Sequence, residues 1–109
     1  MQEIIKKINE IDERIKCIKK ELASIENMRP GVLTKQYKYP KEKKGGYYQI
    51  SYTYKMKSKT DYVRKKHCEK LNEEIEKYKT FSMLTKEWVD LALEKSKLKI
   101  KLEINSIKD

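Results

Sequence analysis

The sequence predicts an α+β fold: two long helices pairing antiparallel in coiled-coil fashion, with a small antiparallel hairpin or three-stranded sheet between them in the chain. Three observations predict it. Isoleucines and leucines recur at three- and four-residue steps in both flanks, apolar and polar residues alternate strictly through the middle, and both prolines and all three glycines fall in that middle segment. Helical periodicity outside and period-two alternation inside are the signatures of two different kinds of element.

Residues 1–28 read as the first helix. Ile4, Ile8, Ile11, Ile15, Ile18, Leu22 and Ile25 are spaced 4, 3, 4, 3, 4, 3, an apolar seam of more than three heptads. Lysine, arginine, aspartate and glutamate on the remaining faces balance, as on a solvated helix surface. Pro30 is expected to end the helix and Gly31 to turn the chain. So narrow a stripe needs a partner helix to be stable.

Residues 29–64 read as a sheet. Gly45 and Gly46 open an alternating run with Tyr48, Ile50, Tyr52 and Tyr54 on one face, read as the buried one, and Tyr47, Gln49, Ser51 and Thr53 on the other. Thr60–Arg64 follows as a second strand across an expected turn at Met56–Lys59, and Val32–Tyr39 supplies a third strand through a lysine-rich loop, Pro40–Lys44. A third strand or a packed helix is physically required, because a two-stranded hairpin is marginal in water.

Residues 65–107 read as the second helix, with no proline or glycine to stop it. Leu71, Ile75, Tyr78, Phe81, Leu84, Trp88, Leu91, Leu98 and Leu102 keep a three-to-four spacing that Lys95 interrupts, and Val89, Leu93, Ser96, Ile100, Ile104 and Ile107 form a second stripe on another face. A helix apolar on two sides is contacted from two sides. The first helix would meet one stripe; a second copy of the chain, giving a homodimer, would meet the other through Val89, Leu93, Ile100, Ile104 and Ile107. A local strand over residues 98–104 is the alternative, since that stretch also alternates.

With 109 residues, 40% of them charged, and a mean hydropathy of −0.94, the chain suits one domain with a modest core. No run of about 18 apolar residues occurs, so no membrane span is expected, and Met1–Lys7 lacks the apolar stretch of a secretory signal. Two cysteines, Cys17 and Cys68, are too few for a disulfide framework, which points to a reducing, cytoplasmic setting. Cys17 falls at an outward heptad position and is read as an incidental thiol.

The net charge of +10 is not spread along the chain. Residues 1–28 carry six basic and six acidic side chains, residues 67–109 nine and nine, and residues 29–66 twelve basic ones against Glu42 and Asp61. The whole excess therefore sits in the segment that also holds seven of the eight tyrosines. Lysines neutralise phosphates and release counterions, and tyrosine rings and hydroxyls meet phosphate, sugar or exposed bases. The candidate nucleic-acid contacts are Lys41, Lys43, Lys44, Lys55, Lys57, Lys59, Arg64, Lys65 and Lys66, with Tyr39 and Tyr47 as aromatic contacts. Arg64, Lys65 and Lys66 lie at the expected start of the second helix, where the helix dipole disfavours cations unless an anion joins them.

No catalytic residues, metal ligands or cofactor are expected. His67 is the sole histidine and adjoins Cys68, too few ligands for zinc, and neighbouring residues on a helix point about 100° apart, the wrong arrangement for a cysteine–histidine nucleophile. There is no glycine-rich phosphate loop and no Gly-x-Ser-x-Gly motif.

The middle segment resembles a family of small basic proteins of bacteria and archaea encoded near transposases and other mobile elements. The matching residues are Pro30, Gly31, Val32 and Leu33 with Tyr37, then Gly46–Tyr52, then Tyr62 and Val63, and a helix with Glu74 and Tyr78, spanning roughly residues 29–95. Many members carry a Cys/His-rich patch before the Gly-Tyr-Tyr run; here Lys38–Lys44 has neither residue type, so no metal site carries over. The resemblance implies a mobile-element context. The resulting expectation is a non-enzymatic nucleic-acid-binding protein, DNA in preference to RNA, of phage, plasmid or transposon type. The alternative is an inhibitor or adaptor docking its basic sheet on an acidic protein partner, such as a host defence nuclease. Membrane adhesion is disfavoured, because the basic residues fall on a sheet and not on one face of an interfacial helix.

Overall fold

The computed structural model describes residues 2–108, with side chains described as far as Asn105. It contains two α-helices and, between them in sequence, a three-stranded antiparallel sheet. The elements are α1 (Gln2–Ala23), β1 (Val32–Tyr39), β2 (Lys44–Tyr54), β3 (Lys57–Val63), a 3₁₀ turn (Lys65–His67) and α2 (Cys68–Lys108). The chain divides into two compact units, one made of residues up to Glu26 with those from Phe81 onward, the other Asn27–Thr80.

In the helical unit, Ile11 and Ile18 are buried on α1 and Leu84 on α2, while the rest of the α1 seam is half-buried. Charged side chains link the two helices. The Arg14 guanidinium forks onto the Glu87 carboxylate at 2.5 and 2.8 Å, Lys7 lies 3.3 Å from Glu94, and Lys95 pairs with Asp12. The ammonium of Lys19 sits 5.2 Å from the centre of the Trp88 ring. Lys95, which interrupts the first stripe of α2, thus has a carboxylate partner on α1. The hydrogen bond from Arg14 holds the Glu87 carboxyl below its ordinary pKa, and the same contact raises that of Arg14.

Helix α1 ends at Ala23, not at residue 28. Both the N–H and the hydroxyl of Ser24 turn back to the Glu21 carbonyl, at 3.1 and 2.6 Å, and the Ile25 N–H donates to Leu22. These three-residue closures tighten the last turn and release the chain well before Pro30. Helix α2 starts later than expected, because Lys65–His67 form a 3₁₀ turn, closed by the His67 N–H on the Arg64 carbonyl at 2.9 Å. It then runs unbroken through residues 98–104, so the strand alternative does not form. Its second stripe is exposed, with Val89, Leu93, Ile100 and Ile104 between 48% and 58% accessible; the side chain of Ile107 lies outside the described residues.

In the sheet unit, β2 is the central strand, with Tyr48 opposite Lys35 on β1 and Val63 on β3. Period-two geometry puts Leu33, Tyr48, Ile50, Tyr52 and Val63 on one face, here called inner. Ile50 and Val63 close onto Ile75 of α2, with Leu33, Tyr48, Cys68 and Leu71 packed around them. The inner-face reading holds at Ile50, which is fully buried, and weakens outward: Tyr48 and Tyr52 are half-buried and Tyr54 is exposed, because α2 covers only the middle of the strand. Gly31, at φ +146°, makes the close approach beneath this contact, since a Cβ there would come within 2.8 Å of the Ile50 side chain.

Both hairpin connections depart from glycine-led turn chemistry. The β2–β3 turn is tighter than expected: Lys55 and Met56 are its two central residues, at φ +52° and +65°, so Lys57 and Lys59 belong to β3. Two successive left-handed residues fit the twist of a two-residue hairpin, where asparagine and glycine are the usual occupants. The β1–β2 loop closes through Glu42 N–H to Tyr39 and Lys43 N–H to Pro40, with Lys43 at φ +53°. Met56 is 99% exposed and contributes only strain. Met56→Gly is therefore expected to raise the stability of the sheet unit by roughly 1 kcal/mol, read as a higher urea midpoint with unchanged slope.

Candidate nucleic-acid interface

Of the twelve basic residues between 29 and 66, Arg29 is the only one with an ion-pair partner among the described residues, bonding Asp61 at 3.4 Å. It is also the most embedded: its guanidinium lies 5.2 Å from the Tyr52 ring centre, and its N–H donates to the Glu74 carbonyl at 3.0 Å. Arg29 ties the entry of β1 to β3 and α2. The candidate contacts Lys41, Lys43, Lys44, Lys55, Lys57, Lys59, Arg64, Lys65 and Lys66 are all exposed.

These nine do not form one patch. Strand β2 is eleven residues long, about 35 Å at roughly 3.3 Å per residue. Lys41, Lys43 and Lys44 lie at its start and Lys55 and Lys57 at its finish. Lys59, opposite Tyr52, carries the charge partway back along β3. Arg64, Lys65 and Lys66 continue from Val63, which pairs with Tyr48, and so fall towards the starting end. Antiparallel pairing thus gathers positive charge at two ends of the sheet from residues scattered through the segment. No side chain caps the 3₁₀ turn at Arg64.

The two aromatic candidates fall on opposite faces. Tyr39 pairs in register with Lys44 and belongs to the inner-face set, 54% exposed at its uncovered end. Tyr47 lies on the outer face, where its ring meets that of Tyr62 at 6.4 Å between centroids and a 33° tilt. Tyr62, 70% exposed, was not among the sequence-derived candidates; the signal for it was its odd-numbered pairing partner, Gln49, available only once the hairpin register is known. Around these rings the outer face is uncharged. Ser51 and Thr60 share a hydrogen bond at 3.2 Å, as do Thr53 and Ser58, and Gln36 donates to Thr34 at 3.3 Å. A shallow groove of about 350 Å³ is lined by Ser51, Thr53, Ser58 and Thr60 together with Val32, Tyr52 and Lys59. On the inner face, by contrast, lysine lies against rings: the Lys35 ammonium is 5.4 Å from the Tyr37 centroid and 5.7 Å from that of Tyr48, and Lys55 is 5.4 Å from Tyr54.

Among the described residues no group of three or more histidine, cysteine, aspartate or glutamate side chains is placed to hold a metal ion, and no helix is long and apolar enough to cross a membrane. Cys17 is an exposed free thiol, and the half-buried Cys68 thiol points to the Arg64 carbonyl at 3.7 Å. Comparison with protein families, with characterised proteins and with solved structures returned no match.

The division of labour among the cations is testable on a polyanion column such as heparin. Arg29→Ala is expected to lower stability by about 1 kcal/mol through lost packing and ion pairing, while leaving the salt at which the protein leaves heparin unchanged. Lys41→Glu with Lys43→Glu and Lys44→Glu should do the reverse, eluting much earlier with little change in melting temperature.

Proposed function

We propose that this is a non-enzymatic nucleic-acid-binding protein, acting on DNA in preference to RNA, that holds the phosphate backbone through the basic sheet unit. The observation that carries the reading is the concentration of unpaired cations. Among the described residues every basic side chain of the segment but Arg29 lacks a carboxylate partner, and only Glu42 and Asp61 offset its twelve cations, whereas the flanking segments carry as many acidic as basic residues. Uncompensated charge at both ends of a strand, beside exposed tyrosines, suits a polyanion longer than a single small ligand. The residues proposed to meet phosphate are Lys41, Lys43, Lys44, Lys55, Lys57, Lys59, Arg64, Lys65 and Lys66, with Tyr39 and Tyr47 as aromatic contacts. Lysine reads charge with little base discrimination, so the binding is weakly sequence-specific.

The helices serve as scaffold in this reading. Glu87 and Glu94 on α2 meet Arg14 and Lys7 on α1 in reverse chain order, which supports an antiparallel, coiled-coil-like pair. The exposed stripe of Val89, Leu93, Ile100 and Ile104 supports homodimerisation through α2, the charge of these flanks being balanced and hence not self-repelling. A mobile-element, phage or plasmid context is proposed from the resemblance borne by Pro30–Leu33, Gly46–Tyr52 and the Tyr62–Val63 junction.

Titration of labelled DNA at several salt concentrations tests the function. For about six phosphate contacts the logarithm of the association constant falls with the logarithm of salt at a slope near −5. Absence of binding at low salt, with a stoichiometric acidic protein recovered instead, favours the inhibitor reading. For the dimer, Ile100→Lys combined with Ile104→Lys is expected to keep the helical circular dichroism and halve the mass measured by light scattering; an unchanged dimer mass places the interface elsewhere.

A further inference from the structure

Resting on the nucleic-acid reading, we infer that the outer face of the sheet is a base-stacking platform, and that the strand it takes is single. The two sheet faces are chemically distinct. The inner face carries lysine against tyrosine and is partly covered by α2. The outer face presents two adjacent rings, Tyr47 and Tyr62, with the Gln49 carboxamide beside them and the hydroxyl grid of Ser51 and Thr60 beyond. The Gln49 side chain has no hydrogen-bond partner within the protein among the described residues, so its carboxamide is free to meet a base edge.

Charge complementarity selects the occupant. A duplex laid on this face would press phosphates against neutral hydroxyls and rings, with the cations out of register at the two ends. A single strand turns its bases inward and its phosphates outward. Unstacked bases then find aromatic surface and neutral hydrogen-bonding groups at the centre, while phosphates reach Lys38 and Lys43 at one end of β2 and Lys55 at the other. Lys38 borders this face directly: its Cβ lies 2.9 Å from where a Cβ on Gly45 would stand, so the two share a side, and only glycine leaves room for it. The tilt of 33° between the rings allows successive bases to lie on them without being coplanar.

The test compares one oligonucleotide of about twelve nucleotides as a single strand and as a blunt duplex, at low salt. The wild-type chain is expected to bind the single strand at least tenfold more tightly, by the roughly five- to hundredfold that each stacked base contributes. Tyr47→Thr with Tyr62→Thr removes both rings while keeping strand-forming residues, and should reduce single-strand affinity about tenfold or more, well beyond any loss of duplex affinity, with the salt slope unchanged. Tyr62→Thr alone, at the more exposed position, gives the same direction if the double variant folds poorly. Equal affinity for duplex and single strand, or unchanged single-strand affinity in the tyrosine variants, overturns the platform and leaves the phosphate reading standing. No binding to either form overturns both.

Discussion

The sheet unit depends on one small apolar contact, Ile50 and Val63 against Ile75. Three strands with mostly polar outward residues would be marginal alone, and this contact supplies the covering helix they require. It also decides orientation. Because side chains alternate along a strand, committing Ile50 inward commits Tyr48 and Tyr52 with it and sends Tyr47, Gln49 and Ser51 outward. A slip of one residue would put isoleucine in water and glutamine against Ile75. The identity of the open face is thus a consequence of where a single residue is buried, and Gly31 protects that arrangement by leaving space for it.

Charge is managed in two different ways along one chain. In the helical unit, cations and carboxylates meet across α1 and α2, and residues 1–28 and 67–109 each carry as many acidic as basic side chains. Such exposed pairs contribute little stability each, yet they fix which turns lie opposite one another. Between residues 29 and 66 the compensation stops: Glu42 and Asp61 are the only acids there, and Asp61 is taken by Arg29. Self-repulsion among the remaining lysines is eased by their separation to the two ends of β2, a distance several times the screening length at physiological salt.

The helices and strands were legible in the sequence because their periods differ. The isoleucine seam of α1 and the alternation from Tyr47 to Thr53 each point to one kind of element, and each forms. What was hidden lay in local hydrogen bonding and in register. Nothing in composition shows Ser24 folding back on Glu21, so Pro30 looked like the helix stop. The Lys55–Met56 turn was invisible because it lacks the asparagine and glycine that usually mark one, and the hairpin was read two residues too wide at that end. That Tyr39 and Tyr47 occupy opposite faces, and that Tyr62 joins the latter, follows from pairing between strands, which one-dimensional spacing does not contain. Lys95 appeared as a break in an apolar stripe; its carboxylate partner, Asp12, is distant in sequence.

Lys43 and Lys55 stand at opposite ends of β2, each with a backbone conformation that glycine or asparagine adopts more easily, at a cost of about 1 kcal/mol apiece. Both tips have kept a long cation in place of a relaxed turn. Stability and charge therefore compete at the same two positions. A selection for heat resistance alone would tend to replace these residues early, and in doing so would strip the cations from both ends of the strand and yield a sturdier sheet with less to offer a polyanion.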